Sequence, residues 1–182
     1  LARLHPDTLA SCTLVYGVEP FFVHQILTWF LKNVLPEADR DFNVNRFEGA
    51  KTTPDAFCLA ARVCPLFGEK RLVIVDDVDK VKDPRDLLLS YIASPCPTTV
   101  VVFTAPKPDF RTRLFSILKK QAMLIHCRPL YDNEQPRFIK REGERQGVRL
   151  TEEAIWFLKE HLGSSLFSIR KAVSSSGTLS PS

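Results

Sequence analysis

Two short apolar runs near the middle of the chain, residues 72–75 and 100–103, constrain its fold more than any other feature. Each run consists only of Leu, Val, Ile or Phe, with no alternation between apolar and polar positions. Such continuous runs are typical of strands that are covered on both faces, as in a parallel sheet. No run approaches the roughly 20 apolar residues of a transmembrane helix, so the sequence predicts a soluble protein with no membrane contact.

Three more strand-like runs, with helical patterns between them, extend this signal. The predicted strands cover residues 14–16, 42–47, 72–76, 99–103 and 123–127. Helix start signals occur at Thr53-Pro54-Asp55 and at Asp83-Pro84, and a further helix is expected from about residue 109 to residue 120. This alternation of strand and helix predicts an α/β fold, with a parallel, doubly wound five-stranded sheet flanked by helices.

After Pro129 the pattern becomes purely helical. Asp132 and Asn133 are expected to cap a helix that ends near residue 145, a second helix runs from Thr151 to Gly163, and a third begins near residue 165. A Ser-rich stretch from residue 174 is expected to truncate the third helix. We therefore predict two domains, an α/β domain over residues 1–131 and a small all-helical domain over residues 132–182.

Composition narrows the class of protein without assigning a function. With 182 residues, 45% of them hydrophobic, the chain can bury a substantial core, and a net charge of +4 is too small to argue for nucleic-acid binding by itself. The five cysteines include no C-x-x-C pair, which favours buried free thiols in a reducing cytoplasm. The His and Cys residues do not cluster at the spacing of a zinc site, so no metal is expected.

Gly17 opens a turn between the first strand and an apolar helix, in the order that is typical of a phosphate-binding P-loop. In that motif the backbone N–H groups of a Gly-rich turn cradle phosphates, and a Lys reaches the outer ones. Counted from Gly17, the second Gly, the Lys and the hydroxyl residue of the motif fall at Phe22, Val23 and His24. Glu19 also adds a negative charge where an anion would sit. We therefore predict a degenerate P-loop that binds no nucleotide and needs no cofactor.

An acidic pair follows the predicted central strand. Together with the apolar run before them, Asp76 and Asp77 resemble the strand and acidic residues that hold Mg²⁺ in P-loop ATPases. Without the phosphate-binding Lys there is no nucleotide for a metal ion to bridge. The pair is interpreted as a polar strand end, and no residue is assigned a catalytic role.

Four segments of the chain are distinctive when taken as a set. They are YGVEPF at residues 16–21, FNV at 42–44, PLFGEKRLVIV at 65–75 and PLYDNE at 129–134. Together they resemble the delta subunit family of the bacterial DNA polymerase III clamp loader. The resemblance extends to about residue 173. It does not include the collar domain that follows in this family.

The resemblance implies an AAA+ fold without ATPase chemistry in the first domain, followed by an AAA+ lid. It implies a non-catalytic subunit of the polymerase III holoenzyme, a DNA-directed DNA polymerase and hence a nucleotidyltransferase complex of DNA replication. Such a subunit binds the sliding clamp (beta) and opens the ring, while sibling subunits of the gamma/tau and delta prime types complete the loader on primed DNA. The expected location is the cytoplasm.

Leu66 and Phe67 are the candidate clamp-binding residues. They lie between a predicted helix and the central strand, flanked by Pro65 and Gly68, which is typical of a loop. Considered alone, the pair also fits ordinary core packing under the edge of the sheet. The resemblance favours the binding role, because the family contacts its clamp through a hydrophobic pair at this point.

Four basic residues of the first lid helix form a second candidate surface. The side chains of Arg137, Lys140, Arg141 and Arg145 share one side of the helix by their spacing, and such a stripe can neutralise DNA phosphates. Glu142 and other acidic residues on the same helix also fit an ordinary solvated face. No aromatic residues alternate with these cations as in a platform for single strands.

Two other functions remain open at this point. One alternative to the clamp-loader subunit is an active P-loop ATPase or phosphotransferase with an unusual motif. The other is a DNA-binding scaffold of AAA+ ancestry. The missing Lys at Val23 argues against the first of these.

Overall fold

A computed structural model describes residues 4–5, 9–66, 68–82, 86–163 and 165–176 of the chain. The chain divides into two compact units, Leu1–Arg128 and Pro129–Ser182. The first unit combines a sheet with helices, and the second unit is helical. The division falls in the linker, just before the boundary expected from the sequence after residue 131.

The first unit is built on one sheet of five parallel strands in the order β2-β3-β4-β1-β5. The strands are β1 Cys12–Tyr16, β2 Val44–Glu48, β3 Arg71–Asp76, β4 Thr99–Ala105 and β5 Met123–His126. β3 and β4 are neighbours in the interior of the sheet, and every residue of β4 is buried. The predicted five-stranded parallel sheet is therefore confirmed, with the two continuous apolar runs on interior strands.

Helices cover both faces of this sheet. They are α1 Pro20–Asn33, α2 Arg40–Asn43, α3 Pro54–Arg62, α4 Asp86–Ala93 and α5 Arg113–Gln121, with 3₁₀ turns at Glu37–Asp39, Gly49–Lys51 and Val78–Lys80. One apolar layer contains buried residues of α1, and the other contains buried residues of α3, α4 and α5. Among the described residues, no helix is long and apolar enough to cross a membrane.

The side chains of β3 alternate between these two layers. Leu72 and Ile74 belong to the layer that contains α1, whereas Val73 and Val75 belong to the layer of α3, α4 and α5. Successive side chains of a strand point to opposite faces, so a strand covered on both faces needs an apolar residue at every position. This two-sided burial explains why the run is continuous.

Two of the predicted helix caps form as expected. The Oγ1 atom of Thr53 accepts a hydrogen bond from the backbone N–H of Ala56 at 3.4 Å, at the start of α3. In the second unit, Oγ1 of Thr151 accepts from the backbone N–H of Ala154 at 3.2 Å. The third predicted signal, at residues 83–84, lies outside the described residues.

Several element boundaries in the first unit differ from the prediction, most clearly at the starts of β2 and α5. Residues 42–43 were expected to begin β2, but they end the short helix α2, and the strand starts at Val44. The helix expected from residue 109 begins only at Arg113. The reason is local, because the Asp109 carboxylate accepts hydrogen bonds from the backbone N–H and the guanidinium of Arg111 and thereby forms a turn.

The first helix of the second unit also starts later than its expected cap. α6 spans Gln135–Arg145, so Asp132 and Asn133 do not cap it. Instead, the backbone N–H of Tyr131 donates to the carboxylate of Glu134 at 2.8 Å, and the N–H of Glu134 donates to the Tyr131 carbonyl at 2.9 Å. This reciprocal pair forms a separate turn ahead of the helix.

The second unit packs three helices, α6, α7 (Glu152–Leu162) and α8 (Leu166–Ser176). α8 has 11 residues, as many as α6 and α7, so it is longer than the truncated third helix expected from the sequence. Glu142 on α6 is 1% exposed, and its carboxylate accepts hydrogen bonds from Arg145 at 2.9 Å and from Arg170 of α8 at 3.2 Å. The buried carboxylate therefore links α6 to α8 through Arg170 and also binds Arg145 of its own helix.

We expect Glu142→Gln to destabilise the helical unit by about 1–3 kcal/mol, because it removes the charge that two guanidinium groups share at a buried position. Urea unfolding followed by circular dichroism measures the change. Glu144→Gln, an exposed position on the same helix, is the matched control and should stay within about 0.5 kcal/mol of the unaltered protein. Equal unfolding midpoints for the two variants would show that the buried ion triad contributes nothing.

Candidate functional site

The loop that carries the degenerate P-loop is held tightly to the ends of two strands. The backbone N–H of Gly17 donates to the carbonyl of Ala105 at the end of β4, at 3.1 Å. Gly17 has φ +127°, and a Cβ atom there would lie 2.1 Å from the Cys127 carbonyl oxygen. Only glycine fits this position, because any side chain would collide with the backbone and strain φ.

Backbone N–H groups that a P-loop offers to phosphate are bonded within the protein here. The Glu19 carboxylate accepts from the N–H of Phe21 at 3.1 Å, at the first turn of α1. The N–H of Glu19 donates to the Cys127 carbonyl at 3.1 Å, and Pro20 has no N–H to offer. A carboxylate of the chain itself thus occupies the helix N-terminus, where an anion binds in a functional P-loop.

The acidic pair that follows β3 is neutralised by neighbouring cations. Arg46 on β2 binds the Asp76 carboxylate through two hydrogen bonds, Nε to Oδ2 at 2.5 Å and Nη2 to Oδ1 at 3.2 Å. This bonding raises the pKa of Arg46 above its usual value. Lys80 pairs with Asp77 at 2.6 Å, and the N–H of Asp77 donates to Oγ1 of Thr104 at 3.0 Å. Both carboxylates are therefore engaged by partners within the protein.

A cavity of about 410 Å³ lies at this edge of the sheet. Of the residues predicted for the degenerate P-loop, Gly17, Val23 and His24 line it, together with both aspartates of the acidic pair. Phe22 does not line the cavity, because its side chain packs against the apolar layer that contains α1. The ring of Phe22, at the position of the motif's second Gly, therefore does not reach into this cavity.

The loop that carries Leu66 lies between α3 and β3 and presents an apolar side chain to solvent. Leu66 is 51% exposed, so core packing does not account for it. Phe67, its predicted companion, lies outside the described residues. Of the pair, the structure therefore locates Leu66 alone.

Two buried polar side chains anchor this loop. Asn43 is 0% exposed, and its amide accepts from the N–H of Leu66 at 2.7 Å and donates to the Leu66 carbonyl at 2.6 Å. Arg71, 5% exposed, donates to the Cys64 carbonyl at 3.4 Å and to Oδ1 of Asn45 at 2.6 Å. Asn43 and Arg71 thus hold the backbone on both sides of residue 65, while Leu66 remains 51% exposed.

More apolar side chains are exposed close to Leu66 along the chain and across the Asn43 contact. Leu59 of α3 is 64% exposed, and Val63, which directly follows this helix, is 51% exposed. Phe42, next to Asn43, is 57% exposed. We refer to Phe42, Leu59, Val63 and Leu66 as the apolar loop surface. Exposed apolar side chains grouped in this way are typical of a protein-binding surface.

The four basic residues predicted to face DNA are exposed on α6, but they do not act as one stripe. Arg145 donates to the buried carboxylate of Glu142, so its charge is balanced inside the helical unit. Arg137 and Lys140 line a separate cavity, which Arg141 does not reach. The structure thus brings two of the four together and directs the others elsewhere.

All five cysteines are free, and they are not all buried as expected. Cys12, Cys58 and Cys127 are buried, and burial raises the pKa of Cys12 to about 12 and those of the other two to about 11. Cys64 is exposed and Cys96 is half-buried. In the described part of the chain, no group of three or more His, Cys, Asp or Glu residues could hold a metal ion.

Three residues of these sites carry no signal in the sequence. Asn43 and Arg71 are single polar residues whose partners lie elsewhere in the chain, 23 residues away for the Asn43–Leu66 pair. Trp156 of α7 shares its cavity with Arg137 and Lys140 of α6, although no motif connects them. Only the fold brings these side chains to their partners.

The chain is similar to known proteins in both sequence and structure. DNA polymerase III subunit delta of Bacillus subtilis is 30% identical over 172 residues, covering 86% of this chain and 50% of that protein. A solved structure of the Bacillus subtilis DNA clamp loader delta protein superposes with a TM-score of 0.78 at 26% identity, covering 94% of this chain and 54% of that one. The chain thus spans about half the length of the curated relative it matches.

A more distant structure shares the fold alone. It is a DNA polymerase III, gamma subunit-related protein of Thermotoga maritima, with a TM-score of 0.53 at 14% identity, covering 93% of this chain and 68% of that one. The family model described as DNA polymerase III, delta subunit matches residues 14–128, which is most of the α/β unit. The chain therefore belongs to the delta subunit family of DNA polymerase III.

Proposed function

We propose that this chain binds the sliding clamp through the loop at Leu66 and Phe67 and opens the ring, without binding or hydrolysing ATP itself. The observation that carries the proposal is the exposed Leu66 on a backbone held by buried Asn43 and Arg71. In the intact protein its partners are the beta clamp, the gamma/tau and delta prime subunits, and primed DNA. Replication in the cytoplasm is part of the same proposal.

An anchored loop is well suited to binding. Burying a Leu side chain fully contributes roughly 1.5–3 kcal/mol relative to leaving it exposed. Association also costs the ordering of loops and side chains at the interface. Because Asn43 and Arg71 already hold the backbone around Leu66, little of that ordering cost remains. The rest of the apolar loop surface can exclude water around such a central contact.

Ring opening requires more than attachment. A closed ring is opened only by a ligand that binds its open form more tightly, and the shift cannot exceed that difference in affinity. An α/β unit whose contact loop is fixed to its sheet can favour one geometry of the ring. A flexible tether would bind both forms equally and would leave the ring closed.

The contacts at the degenerate P-loop support the proposed absence of ATP chemistry. Glu19 occupies the helix N-terminus, Arg46 and Lys80 neutralise the acidic pair, and Val23 stands where the phosphate-binding Lys would be. In this proposal, sibling subunits hydrolyse the ATP that drives loading. Because a cavity remains beside the degenerate P-loop, an ATPase or phosphotransferase is the second candidate function.

We expect calorimetric titration of the chain with Mg-ATP to give no binding in the micromolar range. Losing a charge-assisted hydrogen bond to phosphate costs about 1.5–3 kcal/mol, and the Glu19 carboxylate adds repulsion. Glu19→Gln removes the negative charge but does not restore the phosphate-binding Lys, so this variant should also fail to bind Mg-ATP. A micromolar dissociation constant for the unaltered chain would favour the ATPase instead.

We expect Leu66→Ala to weaken clamp binding at least tenfold, and Leu66→Ala with Phe67→Ala at least a hundredfold, since truncating a hot-spot side chain costs about 2 kcal/mol or more. Surface plasmon resonance with immobilised clamp measures the affinities. Val18→Ala, which truncates a similarly exposed side chain at the degenerate P-loop, is the control and should bind normally. Unchanged affinity in the double variant would refute the proposed contact.

The same variants test ring opening. The lifetime of clamp on nicked circular DNA should shorten when the unaltered chain is added without ATP, and recover with the double variant. If the clamp lifetime stays the same while the chain is bound at saturation, the chain binds the clamp without opening the ring.

We expect Asn43→Ala to loosen the contact loop and to weaken clamp binding about tenfold, because the backbone N–H and carbonyl of Leu66 lose their partner. Hydrogen–deuterium exchange should speed up over residues 64–70 while β3 stays protected. Asn43→Asp keeps the acceptor for the Leu66 N–H and should give an intermediate affinity. Clamp affinity equal to that of the unaltered chain, despite faster exchange in the loop, would show that anchoring is irrelevant to binding.

A further inference from the structure

The helical unit contains a cavity of about 340 Å³ between α6 and α7, a volume suited to a small ligand or a nucleotide. Ile155, 7% exposed, contributes an apolar wall. Arg137 and Lys140 line it from α6, and Trp156 lines it from α7. Two cations and an indole ring therefore meet at one recess.

Trp156 is unusual in its exposure. Its side chain is 53% exposed, although a Trp of a small helical unit is normally used to fill the core. The ammonium of Lys159 lies 4.9 Å from the ring centroid, one turn along the same helix. This cation–π contact holds a third positive charge beside the ring.

The charge of the recess is positive. Among the described residues, no ion pair or hydrogen bond engages the side chain of Arg137 or Lys140, in contrast to Arg145, which is paired with Glu142. Glu152 also lines the cavity and supplies one negative charge, at the first turn of α7. The balance of Arg137, Lys140 and Lys159 against Glu152 favours an anionic ligand.

We propose that this recess is a binding site for single-stranded DNA, in which a base stacks on Trp156 and the adjoining phosphates pair with Arg137 and Lys140. Single strands are bound by this combination of an aromatic platform with cations that track the backbone. Paired bases of a duplex cannot reach an indole in a recess, so the site discriminates by strandedness rather than by sequence. The proposal gives this chain its own contact site for the DNA that is proposed above as a partner, and it does not depend on clamp binding.

The test uses the full 182-residue chain and a fluorescein-labelled thymidine oligonucleotide at about 50 mM salt, where phosphate contacts are strong. Fluorescence anisotropy should detect binding of the oligonucleotide to the unaltered chain. The double variant Arg137→Gln with Lys140→Gln should bind it at least tenfold more weakly. The same double variant should lower the slope of log affinity against log salt by about 1.4, or ~0.7 for each lost phosphate contact. Arg141→Gln, an exposed cation of the same helix outside the cavity, is the control and should change affinity less than threefold.

Stacking has its own readout. The chain has two tryptophans, so Trp29→Phe leaves Trp156 as the only indole emitter, and its fluorescence should be quenched as oligonucleotide is added. Trp156→Leu should weaken binding about tenfold while circular dichroism stays unchanged. Either an unquenched Trp156, or equal losses for Arg141→Gln and the Arg137/Lys140 double variant, would overturn the site. Equal competition by polyglutamate and by unlabelled oligonucleotide would also overturn it, because the recess would then bind acidic polymers in general.

Discussion

Burial of both faces of β3 and β4 is the constraint on which the α/β unit depends. Side chains at successive positions of these strands enter opposite apolar layers, so neither strand can tolerate a polar residue in its centre. Parallel strands place all their amino ends at one edge of the sheet and all their carboxyl ends at the other. The loop with Leu66 precedes β3 and the degenerate P-loop follows β1, so the two candidate sites of this unit lie at opposite edges.

Two-sided burial also explains how much of the fold could be predicted. A continuous apolar run is a local signal, and it located β3 and β4 almost to the residue. The strand prediction was wrong at residues 42–43, because Asn43 ends a helix and forms hydrogen bonds with Leu66. No local sequence pattern reveals that partner. Leu66 itself was proposed through a resemblance, whereas its anchors were missed. Single polar residues become recognisable as anchors only when their distant partners are known.

The degenerate P-loop keeps the turn of a P-loop but fills its polar contacts with groups of the chain itself. The polar groups that ATP and a metal ion would satisfy are satisfied here by Glu19, Arg46 and Lys80. Arg46 and Lys80 are more than half exposed, so these ion pairs balance charge and add little stability. The turn at Gly17 has a structural role of its own, because it joins the ends of β4 and β5.

These internal contacts bear on how the proposed clamp contact is regulated. In a nucleotide switch, a bound phosphate at the carboxyl edge of the sheet selects between conformations of the protein. Here the Glu19 carboxylate occupies the helix N-terminus at that edge, and the contact loop at the opposite edge is anchored by Asn43 and Arg71. Under the proposed function, in which this chain binds no nucleotide, the contact loop has no nucleotide-dependent state of its own. The same proposal assigns control over clamp opening to the sibling subunits, which would act on access to the apolar loop surface.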